Sequence, residues 1–266
     1  MNKIRFGYHV TPGASHITAT AREAKELKMT ALQAFAGGRI NRKVTFPADP
    51  DACAEEMQGI YGLVHAAYVL NPCASPDSEL AQVSVQCLVQ TMEWAEACGF
   101  SAVVVHPGSA KDGVPETARS WGATNVKTVL EKYSGHVHLL LENSAGDLRG
   151  RLVGQRLEEL EEITQALDDD RLGICVDTVH AWAAGYSLEE IVGLPASHPK
   201  IEAWHLNNPK PEVECGGHKD RHGTWNLGRW DRETFLHLLT VLRDKPMIME
   251  TRTGLEDLLL ARTLLK

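Results

Sequence analysis

The sequence lacks the marks of secreted, disulfide-stapled and membrane-spanning proteins. Its 266 residues include six cysteines, none of them in a Cys-x-x-Cys pair, which is typical of a reduced cytosolic protein. The N-terminus, MNKIRFGYHV, enters a strand-like pattern at once and shows no apolar segment of a signal peptide. No apolar run approaches the ~18 residues that a membrane span requires. We therefore expect a soluble, cytoplasmic protein with no membrane partner.

Positive charge is also scarce. Lys and Arg total 27 against 35 Asp and Glu, which gives a net charge of −8 with neutral histidine. Proteins that bind nucleic acids usually carry a basic surface, so this balance by itself argues against such a partner. Hydrophobic residues at 43% and charged residues at 23% are ordinary for a globular chain and exclude wholesale disorder. The composition stands out instead for its 12 histidines.

Short strand-like runs alternate with helical patterns along the whole chain. The predicted strands are Ile4–Val10, Ala31–Phe35, Gly62–His65, Ser101–His106, Val137–Glu142, Leu172–Asp177, Ile201–His205 and Met247–Glu250. The predicted helices are Ile17–Leu27, Asp51–Ile60, Leu80–Cys98, Glu116–Lys132, Leu157–Leu167, Leu188–Val192, Arg232–Arg243 and Leu255–Leu265. Eight strand–helix units at fairly even spacing favour one α/β domain over residues 1–266, a (β/α)8 TIM barrel. A doubly wound open sheet is the alternative, but neither GxGxxG nor GxxxxGK[ST] occurs.

Six successive predicted strands end in a histidine or an acid. In a barrel the C-terminal strand ends and the loops after them form one mouth, so these side chains should converge there. Nine candidate metal ligands result: His65, His106, Glu142, Asp177, His180, His205, Asp220, His222 and Glu250. Any one of them alone is more often a solvated side chain, a helix cap or a salt-bridge partner. Together their imidazoles and carboxylates suit zinc or manganese, and at about three ligands per catalytic zinc they are enough for about three ions.

Several sequence segments resemble one known family. The runs HAAYVLN, VHPGS, ENSAG, DTVHAWAAGY, HLNNPK, DRH and ET, in this order, resemble the signatures of endonuclease IV, the zinc-dependent abasic-site DNA endonucleases. The resemblance covers essentially the whole chain, and DTVHAWAAGY together with DRH is its specific part. It implies a xylose-isomerase-like barrel that binds three zinc ions, with manganese able to occupy one position. By resemblance the three ligand sets are His65, His106 and Glu142; Glu142, Asp177, His205 and Glu250; and His180, Asp220 and His222.

The resemblance also implies an activity. Family members hydrolyse the phosphodiester on the 5′ side of an abasic site in duplex DNA and leave a 3′-hydroxyl and a 5′-deoxyribose phosphate. The nucleophile would be a hydroxide activated by the zinc ions and positioned by the catalytic Glu142. The chain is then expected to be a monomeric hydrolase of base excision repair.

Further positions match the family as DNA contacts, some more closely than others. Tyr68 and Val69 match residues that probe the duplex at the lesion, and Arg39 is a looser match. Lys210 matches a loop lysine of the family and is expected to contact a backbone phosphate. Three cations of the loop after the fifth strand are expected either to form a solvated basic loop or to contact backbone phosphates as well: Arg149, Arg151 and Arg156. His9 ends the first strand and is expected to touch a ligand or the substrate. The sequence departs from the family pattern at Asn208–Pro209, at GTWNLG after DRH and at AGGRINRK after Phe35.

Three other functions remain open from the sequence. Sugar isomerases and epimerases share a Glu–Asp–His–Glu arrangement that matches Glu142, Asp177, His205 and Glu250, but their chemistry gives no role to the other five candidates. A zinc phosphodiesterase acting on another nucleotide substrate would keep the metal site and use the altered loops. A non-catalytic DNA-binding module would have no need of the complete ligand set.

Overall fold

The strands of the protein form a parallel barrel. The computed structural model describes residues 4–11, 16–111 and 114–266. Its strands are β1 (Phe6–Tyr8), β2 (Ala31–Phe35), β3 (Tyr61–His65), β4 (Ala102–Val105), β5 (His138–Glu142), β6 (Leu172–Asp177), β7 (Ile201–His205), β8 (Asn208–Pro209), β9 (His222–Gly223) and β10 (Met247–Met249). Eight of them pair in the order β1-β10-β7-β6-β5-β4-β3-β2, and β8 and β9 form a small antiparallel hairpin outside the barrel.

Helices connect the strands and surround the barrel. They are α1 (Ile17–Glu26), α2 (Pro50–Met57), α3 (Glu79–Ala97), α4 (Pro115–Lys132), α5 (Leu157–Leu167), α6 (Thr178–Ala184), α7 (Leu188–Ser197), α8 (Arg232–Val241) and α9 (Gly254–Leu264). Several begin at a side chain that caps free backbone amides; Asp49, Ser78 and Asp231 do so for α2, α3 and α8. In the described part of the chain, no helix is both long and apolar enough to cross a membrane.

The barrel closes where β1 meets β2. The two strands are joined by a parallel bridge between His9 and Gln33, and the amide of Val10 donates to the carbonyl of Gln33 at 2.8 Å. Gly7 makes this approach possible, because a Cβ there would lie 1.8 Å from the carbonyl oxygen of Ala31. The (β/α)8 TIM barrel predicted from the sequence is confirmed.

A small apolar layer fills the barrel interior, separate from the larger core between strands and helices. It consists of Ala31, Leu63, Ala102, Val104, Leu140, Cys175, Ala203 and Ile248. Side chains on a strand alternate between its two faces, so the residue two positions later points into the same interior, one layer nearer the C-terminal mouth. Seven of these later positions are polar: Gln33, His65, His106, Glu142, Asp177, His205 and Glu250. The apolar layer therefore lies directly beneath a layer of polar side chains at the C-terminal mouth.

The predicted elements are present, with differences at their ends and two additions. The first strand is shorter than predicted, Phe6–Tyr8 instead of Ile4–Val10, and the predicted helix Leu188–Val192 extends to Ser197. Helix α6 and the β8–β9 hairpin were not predicted. Both are too short, at 7 and 2 residues per element, to give a periodic signal.

Candidate metal centre

All nine predicted ligands lie together at the C-terminal mouth of the barrel. Three groups have ligand atoms within 4.8 Å of one another: His65, His106 and Glu142; Glu142, Asp177, His205 and Glu250; and Asp177, His180 and His222. The ninth residue, Asp220, contacts both His180 and His222. The first two groups coincide with the predicted sets, and in the third Asp177 also lies close to the two histidines.

In the first group, a backbone hydrogen bond orients His65 so that its unprotonated nitrogen faces Glu142, the carboxylate shared with the second group. His65 donates from Nδ1 to the carbonyl of Ala66 at 2.7 Å, which leaves its Nε2 without a proton when the ring is neutral. That Nε2 lies 3.1 Å from Oε2 of Glu142, and Nε2 of His106 lies 3.4 Å from the same oxygen. Both imidazoles therefore face one carboxylate oxygen.

The other oxygen of Glu142 faces the second group. Oε1 lies 2.7 Å from Nδ1 of His205, and the same nitrogen is 3.3 Å from Oε2 of Glu250. Glu142 is fully buried at the end of β5, with one oxygen toward each group. This is the arrangement that a carboxylate bridging two metal ions requires.

The third group is built on helix α6 and the β8–β9 hairpin. Asp177 accepts from the amides of Val179 and His180 and so caps α6, which places His180 one turn into the helix. His180 donates from Nδ1 to the carbonyl of Asn143 at 2.9 Å, and its Nε2 lies 3.4 Å from Asp220. Nε2 of His222 lies 3.0 Å from Asp220 and 3.6 Å from Asp177, but neither contact has the geometry of a hydrogen bond. This buried nitrogen therefore has no hydrogen-bond partner among the described residues.

The electrostatics of the centre depend on the histidines. Burial acts to raise the pKa of Glu142, but the facing imidazoles, His106 and His205 foremost, hold that pKa well below its usual range. Burial acts to lower the pKa of His222, yet Asp177 and Asp220 raise it to about 9. His106 has no comparable set of partners, and burial lowers its pKa to about 4.

The donor set fits a cluster of metal ions. Four carboxylates meet here, and in the described part of the chain every ion pair that they form is with a histidine, which is charged only when protonated. Such a group of acids needs an additional counter-charge. Imidazole nitrogens and carboxylate oxygens, with one unpartnered buried Nε2, are the donors that zinc and manganese take.

Three buried amides that support the ligands were missed by the sequence analysis. Asn207 donates to Oδ2 of Asp177 at 2.6 Å and to Oε2 of Glu250 at 3.2 Å. Asn143 accepts from the amide of Asp177 at 2.6 Å, and the third amide, Gln33, lies in β2. Sequence position could have indicated two of them. Asn143 directly follows Glu142, and Asn207 lies two residues after His205, each at the end of a strand. Gln33 gave a different signal, as the polar residue of an otherwise apolar strand, ALQAF.

The residues predicted to probe DNA lie at the rim of this centre. Tyr68 is 46% exposed, and its ring meets the ring of His65 edge-on at 4.9 Å. Its amide donates to the carbonyl of Arg39 at 2.8 Å, which brings the two loops together, and Val69 follows half-buried. Tyr68 lines a cavity of about 740 Å³ that reaches His106 and another of about 930 Å³ that reaches Glu250.

The predicted phosphate contacts are in different environments. Arg149 and Arg151 are exposed in the loop after β5, where Oδ1 of Asp147 accepts from the amides of both. Lys210 is exposed on the β8–β9 hairpin. Arg156 instead lies over the ring of Tyr186, with its guanidinium carbon 4.3 Å from the ring centre. Arg156 is exposed as well, but its guanidinium is held against an aromatic ring.

Comparison with known proteins identifies the family. Residues 21–264 match the family of xylose isomerase-like TIM barrels. Endonuclease 4 of Thermus thermophilus is 32% identical over 273 residues, which cover 95% of this chain and 94% of that protein. A probable endonuclease 4 of Nitratidesulfovibrio vulgaris is 32% identical and covers 92% of this chain and 91% of its own. The chain belongs to the endonuclease IV family. It is thus a member of a family of endonucleases.

Solved structures agree with this assignment. The crystal structure of endonuclease IV from Thermus thermophilus superimposes with a TM-score of 0.82 at 29% identity, and the match covers 98% of both chains. A D-tagatose 3-epimerase-like protein superimposes with a TM-score of 0.70 at 22% identity. At that identity the likeness shows a common fold only. The chain therefore shares its barrel fold with epimerases, and this likeness is no evidence of shared chemistry.

Proposed function

We propose that this endonuclease IV family member is a DNA-repair endonuclease. It hydrolyses the phosphodiester 5′ to an abasic site in duplex DNA and leaves a 3′-hydroxyl and a 5′-deoxyribose phosphate. The observation that carries the proposal is the convergence of nine candidate ligands in three adjacent groups, two of which share Glu142. The family relatives support the endonuclease activity, and the ligand count supports three zinc ions, with manganese suited to one position.

The chain supplies the ligands, and the metals would supply charge. His65, His106 and Glu142 would hold one ion, and Glu142, Asp177, His205 and Glu250 a second. His180, Asp220 and His222 would hold the third. When bound, the ions lower the pKa of water and neutralise the charge that develops on the phosphoester oxygens.

The surrounding side chains recognise the damaged duplex. Tyr68 is the exposed aromatic at the rim and replaces stacking when the abasic nucleotide leaves the helix. Arg39 is held beside it by the backbone hydrogen bond between the two loops. Arg149, Arg151 and Lys210 are exposed cations that contact backbone phosphates. Glu142 is buried, and histidines contact both of its oxygens. The carboxylate that positions the attacking water is therefore itself held in one orientation.

An epimerase is the second candidate. Glu142, Asp177, His205 and Glu250 form one compact group, as a single-metal isomerase would require. That function leaves the other five ligands of the mouth without a role. It is therefore the less economical explanation of the same site.

The test is incision of a labelled duplex that carries one abasic analogue, by zinc-loaded protein. We expect a nick on the 5′ side whose end a DNA polymerase extends, since extension requires a 3′-hydroxyl. Glu142→Gln should lower the rate by about a thousandfold or more, because it removes the shared charged ligand. Glu131→Gln, an exposed glutamate of α4, is the matched control and should cut normally. An intact duplex after incubation with fully loaded wild-type protein would refute the proposal.

A further inference from the structure

Gln33 is a fully buried side chain that touches three polar residues of the mouth. Its Oε1 lies 2.7 Å from Nε2 of His205. Its Nε2 lies 2.7 Å from Oε1 of Glu250 and 2.8 Å from Nδ1 of His9. The glutamine therefore connects the strands β1, β7 and β10 from its position on β2.

Glu250 decides which way the amide faces. A carboxylate accepts hydrogen bonds, so the NH2 group of Gln33 must be the atom 2.7 Å from its oxygen. The reverse orientation would place two oxygens at that distance.

This orientation fixes the protons on two histidines. The carbonyl of Gln33 can only accept, so His205 carries a proton on Nε2, and its Nδ1 faces Glu142 and Glu250. The NH2 group can only donate, so Nδ1 of His9 is an acceptor, and the ring is neutral with its proton on Nε2. That Nε2 is buried and has no hydrogen-bond partner among the described residues.

His9 lies where a substrate would pass. It lines the cavity of about 930 Å³ together with Arg39, Tyr68 and Glu250. Its side chain is only 9% exposed, so a donor without a partner is costly here unless the substrate supplies an acceptor. The backbone of a nucleic acid offers such acceptors in its phosphate and sugar oxygens.

We propose that Gln33 is a positioning residue that sets the proton positions of His205 and His9 together, and that His9 thereby offers an N–H to a backbone oxygen of the abasic nucleotide. The contact between His9 and the nucleotide, the substrate half, rests on the proposed function. The proton positions on the two rings, the positioning half, can be measured without DNA.

The positioning half is tested by nitrogen-15 NMR of histidine-labelled, zinc-loaded wild-type protein. We expect the ring shifts to show a proton on Nε2 of both His9 and His205. Gln33→Glu removes the donor to His9 but keeps the acceptor for His205, so only the His9 ring should change its protonated nitrogen. Gln33→Met removes both contacts and should affect both rings. A proton on Nδ1 of His9 in the wild type would overturn this half, whether or not the variants fold.

The substrate half is tested by comparing His9→Gln with His9→Asn. Glutamine can present an N–H near the position of Nε2, whereas asparagine reaches only the position of Nδ1. We expect His9→Asn to lower kcat/KM about ten- to a hundredfold, the effect of one hydrogen bond to a charged or strongly polar oxygen, and His9→Gln to restore part of it. The zinc content should be unchanged in both variants.

A second substrate separates the possible acceptors. The tetrahydrofuran analogue lacks only the C1′ hydroxyl of a natural abasic site, so an equal loss on both substrates indicates a phosphate or ring oxygen that both contain. A larger loss on the natural site would indicate the C1′ hydroxyl and contradict contact with a backbone oxygen. Wild-type rates in His9→Asn would overturn the substrate half. If the wild type does not cut at all, the proposed function and this half both fail, while the ring shifts still decide the positioning half.

Discussion

At the scale of single residues, the site depends on one step of strand periodicity. Val104, Leu140 and Cys175 point into the barrel, and the residues two positions later are His106, Glu142 and Asp177. The sequence predicted these ligands because they end their strands. It did not predict Gln33, because β2 is buried on both faces and its apolar pattern does not show which side chains face inward. The sequence pattern placed the end of this strand at Phe35, two positions beyond the inward-facing residue.

The ligand histidines predict how metal binding depends on pH. In the metal-free protein Asp177 and Asp220 raise the pKa of His222 to about 9 against the effect of burial, above the 6.5 of a free histidine. That proton stabilises the metal-free fold fully below pH 6.5, and the contribution is lost as the pH rises through about 9. A metal ion binds only the unprotonated nitrogen, so the stability that metal binding adds to the fold increases over the same pH range.

We therefore expect the thermal midpoints of zinc-loaded and metal-free protein to move further apart between pH 6.5 and about 9. The pKa values of His180, beside Asp177 and Asp220, and of His205, beside Cys175, Glu250 and Glu142, are also raised in spite of burial and act in the same direction. Differential scanning calorimetry at several pH values measures the gap. His237→Asn, at an exposed position on α8, should leave the trend unchanged. A gap that stays constant or narrows would contradict this reading of the histidines.

At the scale of elements, barrel closure depends on a glycine. A Cβ at Gly7 would meet the backbone of β2, which cannot move away without opening the barrel. Gly7→Ala should lower the free energy of unfolding by about 2–3 kcal/mol, the cost of forcing a methyl group into a packed interior. Gly193→Ala in α7 is the matched control, because a Cβ there meets nothing within 4 Å. It should stabilise the protein by up to about 1 kcal/mol. Equal effects of the two changes in urea denaturation would argue against this closure.

A departure from the family pattern has a structural reason. The side chain of Asn208 donates to the carbonyls of Thr224 and Trp230 and accepts from the amide of Trp230. An acid at this position could accept but not donate. Gly228 packs against the same amide, where a Cβ would lie 2.3 Å from it. Asn208 and the GTWNLG segment thus belong to one local arrangement, which a comparison of separate motifs did not indicate.

Replacing this amide by an acid should therefore destabilise the loop. Asn208→Asp buries a carboxylate against two carbonyl oxygens and should cost about 3 kcal/mol of unfolding free energy. Asn226→Asp makes the same chemical change at an exposed position of the same loop, where only an acceptor is used, and should be nearly neutral. Thermal denaturation of the two variants gives the comparison. A neutral Asn208→Asp would mean that the amide does not organise the loop.

At the scale of the whole molecule, the net charge of −8 is concentrated in part at the metal centre. Four ligands are acids, and three divalent ions would offset most of the total, so the mouth that meets DNA would be locally positive. The composition alone argued against a nucleic-acid partner, whereas the endonuclease relatives support one. Composition could not show this, because the counter-charge would be carried by the metals and by a few loop cations.

The loop cations should determine the salt dependence of DNA binding. Arg149→Ala and Arg151→Ala should each reduce the slope of log affinity against log salt by about one, as expected for one lost phosphate contact. Lys127→Ala on α4, whose ammonium pairs with Glu131, is the control and should leave the slope unchanged. Fluorescence anisotropy with an abasic duplex and the Glu142→Gln protein measures these slopes. Unchanged slopes would place the DNA elsewhere on the surface.

The most direct test of the nine-ligand centre is anomalous diffraction at the zinc edge from crystals of the zinc-loaded protein. We predict three peaks: one between His65, His106 and Glu142, one between Glu142, Asp177, His205 and Glu250, and one beside His180, Asp220 and His222. A single peak in the Glu142–Asp177–His205–Glu250 group would contradict the three-ion centre and favour isomerase-type chemistry at this mouth.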